Sequence, residues 1–248
     1  RLEARMVVIR AFIPRPFQRG AGRACPLRAA RVADVRRWSV LVPAPYYPNF
    51  DDDFNLWGDV KTVGVPFAES DDSGRLSDAA LNQAYDQACI AGHPPKAMLV
   101  TNPNNPVGNI YSEGSLVSIY QWCLSKKIHL IMDEAYAMSV FDADSPSPTA
   151  RQDFLSMARI LNNDMGDYCH IIWGLSKDFG ASGLRLGVLY SQNRLLHAAL
   201  GTMNLPLTVS NFTQRACAAV LSDPSFMAHY IASNRLKLKA SYDLLLSV

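Results

Sequence analysis

From Ser39 onward the apolar positions fall into short unbroken runs, separated by stretches with helical periodicity. SVLV at 39–42 reads as a buried strand, VKTVGVPF at 60–67 alternates like a half-exposed one, and KAMLVTNP at 96–103 is a continuous apolar run ending in a polar loop. IHLIMDEAY at 128–136, CHIIWGLSK at 169–177 and RLGVLYS at 185–191 repeat that form. Helical patterns lie between them. Ser77 caps one that runs to Ile90, with Asp78 in its first turn, Leu81, Ala84, Tyr85 and Ala88 on one face, and Gly92 as its stop. Leu116, Ile119, Tyr120, Cys123 and Leu124 form the apolar stripe of another. PAPYYPNFDDDF at 43–54 reads as a proline-bounded loop in which Asp51, Asp52 and Asp53 make a solvated helix start. Strands apolar on both faces and alternating with helices predict an α/β fold, a mostly parallel sheet sandwiched by helices.

Ligands of such sheets bind beyond the carboxyl ends of the strands, and the polar ends of these runs meet there. Asn102 and Asn105 follow one strand, Asp133 and Tyr136 end another, and Lys177 follows a third. Taken singly, each has a structural reading: TNPNNPVG is a good turn, and Asp133 with Glu134 solvates a strand end. Lys177 stands out for its surroundings. Ser176, Gly180, Ala181, Ser182 and Gly183 leave room for a ligand at its amine, and Arg185, eight positions on, supplies a fork for an anion.

Charge and composition narrow the classes. Residues 1–38 carry ten arginines and two acids, whereas the remainder carries 14 basic and 20 acidic residues, a balance of −6. An arginine-rich arm suits nucleic acid, anionic lipid or a mitochondrial leader. Pro14, Pro16 and Pro26, little serine and no sustained amphipathic helix argue against all three and place the segment outside the fold. Cys25, Cys89, Cys123, Cys169 and Cys217 form no CxxC pair, so neither a disulfide framework nor a zinc site is expected, and a cytoplasmic setting follows. The five histidines show no metal-ligand spacing, no apolar run is long enough to span a bilayer, and no GxGxxG signals a dinucleotide.

NNPVG, DEAY and SKDFGASGLRLG, in this order and spacing, resemble fold type I pyridoxal 5'-phosphate (PLP) enzymes of aminotransferase class I and II. PAPYYPNFD and GLSKDFG are most similar to the branch of 1-aminocyclopropane-1-carboxylate (ACC) synthases and their aminotransferase-like relatives. The resemblance implies that Lys177 carries the cofactor covalently and moves the α-proton. It implies that Asp133 pairs with the pyridine nitrogen, that Asn105 and Tyr136 hold the ring's phenolic oxygen, that Tyr47 stacks on the ring and that Arg185 holds the phosphate. Glu134, Asp178 and Phe179 belong to the motif with a structural task.

Two departures weaken the phosphate site and imply poor PLP binding. The serine that the family carries three residues before the lysine is Gly174 here, and residues 1–38 hold no glycine- and alanine-rich phosphate turn. The resemblance divides the chain into the arginine-rich segment 1–38, a PLP-binding large domain at 39–212, and the start of a helical connection to a small domain at 213–248. On that reading the large domain is incomplete at both ends. It further implies amino-group transfer between an α-amino acid and a 2-oxo acid, with ACC-synthase-like elimination or a non-catalytic fragment as alternatives, in a homodimer that binds neither nucleic acid nor membrane.

Overall fold

The computed structural model describes residues 5–10, 37–67, 76–141, 154–203 and 208–247. Its strands are β1 (Arg5–Arg10), β2 (Ser39–Ala44), β3 (Lys61–Pro66), β4 (Pro95–Thr101), β5 (His129–Asp133), β6 (Cys169–Gly174) and β7 (Leu186–Ser191). They form one sheet in the order β1-β7-β6-β5-β4-β2-β3. β2 to β6 run parallel, β7 is antiparallel to β6, and β1 is antiparallel to β7, so β7 alone among the described strands runs against the rest. The mostly parallel α/β sheet expected from the pattern is therefore present. The arginine-rich segment needs a correction: Arg5–Arg10, placed outside the fold by composition, is the edge strand beside β7. The run MVVI inside it carried that signal.

Period-two alternation explains the unbroken apolar runs. Leu41, Met98, Val100, Leu130 and Met132 face one side of the sheet, where they pack with Leu81 and Ala84 of α2 (Asp78–Ile90) and Leu116, Ile119 and Cys123 of α3 (Glu113–Lys126). Val40, Val42, Ala97 and Leu99 face the other side, against Phe50 and Phe54 of α1 (Asn49–Gly58). The segment read as a loop with a helix start at Asp51–Asp53 is helical from Asn49. Asp51 and Asp52 sit in its first turn, where a helix dipole favours acids, and Phe50 and Phe54, four apart, point at the sheet.

Both sequence-predicted helices start at their serine caps. Ser77 accepts from the Ala80 N–H, and Ser112 accepts from the Ser115 N–H. Downstream come the single turns α4 (Met157–Ile160) and α5 (Leu175–Asp178), then α6 (Arg194–Met203), α7 (Asn211–Leu221) and α8 (Pro224–Leu246). α8 is 23 residues long and buries none of them fully; one side, with Tyr230 and Tyr242, packs on Phe179 and Phe141 of the domain, and the rest faces outward.

Chain order along the sheet reverses at β2, which lies between β3 on one side and β4 on the other. The loops after β2 and β4 therefore diverge at their carboxyl ends and open a crevice there.

Candidate active site

β4 and β5 end level with one another and β6 runs two residues further, which brings three loops to one edge. Thr101 is opposite Asp133, and Asp133 is opposite Ile172, three residues before the turn that carries Lys177. Asp133 Oδ2 accepts from Thr101 Oγ1 at 3.3 Å, and its Oδ1 accepts from the Ala135 N–H at 3.2 Å. Burial pushes the Asp133 carboxyl up to about 6, against the pull of the Ala135 N–H, the Thr101 hydroxyl and the charge of Lys177. Thr101 was not among the expected site residues. A lone hydroxyl at the end of an apolar strand was the available signal.

Lys177 sits in α5, directly after β6. Its amine stands 5.7 Å from the centre of the Tyr136 ring and 6.0 Å from that of Tyr47. Asn105 Nδ2 donates to Tyr136 Oη at 3.1 Å, so the loops after β4 and β5 are joined at the pair expected to act together. Tyr47 Oη accepts from Asn49 Nδ2 at 2.9 Å, and its ring meets Phe50 edge to face at 5.5 Å. Five of the six expected side chains, Tyr47, Asn105, Asp133, Tyr136 and Lys177, are thus linked to one another by contact or by charge.

Arg185 has a left-handed backbone (φ 52°), and its Nη1 donates to the Ser182 carbonyl at 3.0 Å. It lines a cleft of about 240 Å³ with Leu184, Thr208, Val209, Ser210 and Thr213. The Arg185 guanidinium brings positive charge to that cleft, while Ser210 Oγ caps α7 (Asn211–Leu221) by accepting from the Thr213 N–H at 3.1 Å and lies 3.1 Å from Thr213 Oγ1.

Gly174, where the resemblance implies a serine, lies against β7. A Cβ there would stand 3.0 Å from the Leu186 carbonyl oxygen and 3.5 Å from the Gly187 Cα, because β6 and β7 approach closely at this pair. A serine would need the facing backbone of β7 to give by a few tenths of an ångström.

Glu134 and Asp178 are buried and serve structure. Glu134 Oε1 accepts from the Met157 N–H at 2.9 Å, holding the start of α4, and burial pushes its carboxyl up to about 7. Phe179 stacks on Tyr230 of α8 with centroids 4.8 Å apart. Among the described residues no group of three histidine, cysteine, aspartate or glutamate side chains is placed to hold a metal.

The family model described as aminotransferase class I and II matches residues 24–247. The chain belongs to that family. It is 38% identical over 232 residues to 1-aminocyclopropane-1-carboxylate synthase 4 of Oryza sativa subsp. japonica, an overlap of 90% of this chain and 46% of that protein. It is 36% identical to 1-aminocyclopropane-1-carboxylate synthase 7 of Arabidopsis thaliana, over 83% of this chain and 45% of the relative. The chain therefore spans less than half the length of these relatives. Among solved structures, a Thermus thermophilus aspartate aminotransferase double mutant matches with a TM-score of 0.70 at 17% identity, over 86% of this chain and 50% of that one. A PLP-bound C–S lyase from Staphylococcus hominis matches with a TM-score of 0.71 at 18% identity, over 86% and 51%. These last two show a shared fold. The matched span begins at residue 24, inside the arginine-rich segment.

Proposed function

We propose that this site performs PLP-dependent chemistry at the α-carbon of an amino acid, and that the reaction is an elimination of the ACC-synthase type in preference to transamination. The observation that carries the PLP reading is the placement of the Lys177 amine at the carboxyl edge of the sheet, 5.7 Å from the Tyr136 ring and 6.0 Å from the Tyr47 ring, near enough for its charge to act on Asp133. The preference for elimination rests on sequence: the ACC synthases are 38% and 36% identical to this chain, whereas the aspartate aminotransferase shares its fold at 17%.

The donor set fits the cofactor's ring end. It offers an amine for an aldehyde, a carboxylate for a ring nitrogen, an amide and phenol pair for a ring oxygen, and an aromatic face. PLP, when bound, supplies an electron-withdrawing ring that renders the α-carbon of the amino acid acidic. Lys177 would hold the cofactor and then move the proton at the α-carbon. Asp133 would be the anionic partner of the ring nitrogen, kept in line by Thr101 and the Ala135 N–H. Asn105 and Tyr136 would hold the ring oxygen, Tyr47 would cover the ring, and Arg185 in its cleft would take the phosphate.

Making a cyclopropane from an amino acid requires a bond between Cα and Cγ, and a leaving group must depart from Cγ. The test follows from that. Supplied with PLP, the protein is offered an α-amino acid with a γ leaving group, and separately an α-amino acid with a 2-oxo acid. Release of the leaving group with loss of the α-proton supports the proposal, and formation of a new amino acid from the 2-oxo acid alone supports transamination instead. We further propose a homodimer, supported by the exposed Leu195, Phe212, Leu236, Leu244, Leu245 and Leu246.

A further inference from the structure

We infer that Asp178 is a positioning residue: its carboxylate clamps the turn that carries Lys177 to the turn that carries Tyr136, and so sets where the amine stands. The inference rests on the reading of Lys177 as the reactive amine. Asp178 is 2% exposed, although the lysine beside it is exposed. Its Oδ1 accepts from Ser139 Oγ at 2.7 Å, and its Oδ2 accepts from the Met138 N–H at 3.2 Å and from Trp173 Nε1 at 2.9 Å. All three donors are neutral. A carboxylate is costly to bury unless hydrogen bonds replace its water, and a residue that merely ended a helical turn would need no such set.

What the three bonds connect decides the matter. Met138 and Ser139 lie two and three residues beyond Tyr136, in the turn after β5, and Trp173 lies on β6, four residues before Lys177. One side chain thereby ties the two loops whose functional groups face each other, with the amine 5.7 Å from the Tyr136 ring. α8 holds the same two turns from outside. Tyr230 Oη donates to the Asp178 carbonyl at 3.3 Å, and Arg235 Nε donates to the Met138 carbonyl at 3.1 Å. A displacement of about 1 Å at a reacting group is enough to cost roughly a hundredfold in rate, so a clamp at this point has functional weight.

Asparagine can keep the clamp and alanine cannot. The amide oxygen of Asp178→Asn can take the Met138 and Trp173 N–H groups, while its NH₂ meets the Ser139 hydroxyl, which turns to accept. The test places ¹³C-methyl groups on the lysine amines by reductive methylation and follows the Lys177 signal by NMR. In the unsubstituted chain the ring currents of Tyr47 and Tyr136 set that signal apart from those of surface lysines such as Lys61. Asp178→Ala removes most of the separation, and Asp178→Asn retains it.

If Asp178→Ala does not fold, the double variant Ser139→Ala with Trp173→Phe, which removes two of the three donors, decides the point in its place. A Lys177 signal unmoved by Asp178→Ala, or by that double variant, overturns the inference, as does a signal lost equally in Asp178→Asn. A second arm uses PLP with borohydride. The Asp178→Ala chain, which loses all three bonds and with them the placement of the amine, should trap at least about tenfold less label at Lys177. Absence of trapping in the unsubstituted chain would sink the PLP reading, while the methyl signal still decides the clamp.

Discussion

Asp133 and Glu134 are neighbours with opposite duties, set by where each side chain points. Asp133 ends β5, where the charge of Lys177 acts on it, and on the proposed reading its worth lies in the charge it would present to a ring nitrogen. We predict that Asp133→Asn keeps the fold, shown by an unchanged circular dichroism spectrum, while turnover falls by about a thousandfold, the equivalent of roughly 4 kcal/mol of transition-state stabilisation. Near-normal turnover would remove Asp133 from the chemistry. Glu134 points into the body, where burial raises its carboxyl from 4.5 to about 7. Because the folded value lies above the unfolded one, the stability it contributes is complete below about pH 4.5 and is lost as pH rises through 7. That loss amounts to about 3 kcal/mol by pH 8. Glu134→Gln, still accepting from the Met157 N–H, should raise the urea midpoint at pH 8 and leave it unchanged near pH 4.5. Equal effects at both values would show that its charge costs nothing.

At the scale of elements, most of the fold was legible because parallel strands announce themselves as apolar runs and because Ser77 and Ser112 cap their helices locally. That Asn105, Asp133, Tyr136 and Lys177 gather at one edge was legible for a related reason: the polar ends of β4, β5 and β6 had to converge once the strands ran parallel, whereas Tyr47 and the phosphate role of Arg185 were named only by resemblance. What the pattern hid depends on distant contacts. The start of α1 follows two prolines and reads as loop until Phe50 and Phe54 find the sheet, and β1 reads as part of a basic arm until it pairs with β7. The opposite end of the sheet from Lys177 holds a further long-range feature. His129 Nδ1 and His170 Nε2 are 2.9 Å apart, and His170 Nδ1 meets Ser191 Oγ at 2.8 Å, crossing β5, β6 and β7. Burial, followed by His129 and His197, lowers His170 from 6.5 to about 4. Since the folded value is depressed, the stability it contributes is present above pH 6.5 and is lost as pH falls through about 4. An NMR titration should find the His170 ring neutral at pH 5. A ring that charges near pH 6.5 would show that burial does not hold it neutral.

For the whole molecule, a long helix with no buried residue and a cluster of exposed leucines at Leu244, Leu245 and Leu246 leave apolar surface that the described residues do not cover. We predict self-association at micromolar concentration, measured by sedimentation, and a well-dispersed monomer would contradict the proposed dimer. The central claim is narrower than the assembly or the choice between elimination and transamination: one amine, Lys177, is the covalent anchor for PLP. Incubating the protein with PLP, reducing with borohydride and mapping the labelled peptides tests it directly. The account predicts label concentrated on the peptide containing Lys177, well above each of the other lysines. Label spread evenly over the exposed lysines, or concentrated on any other one, would contradict it.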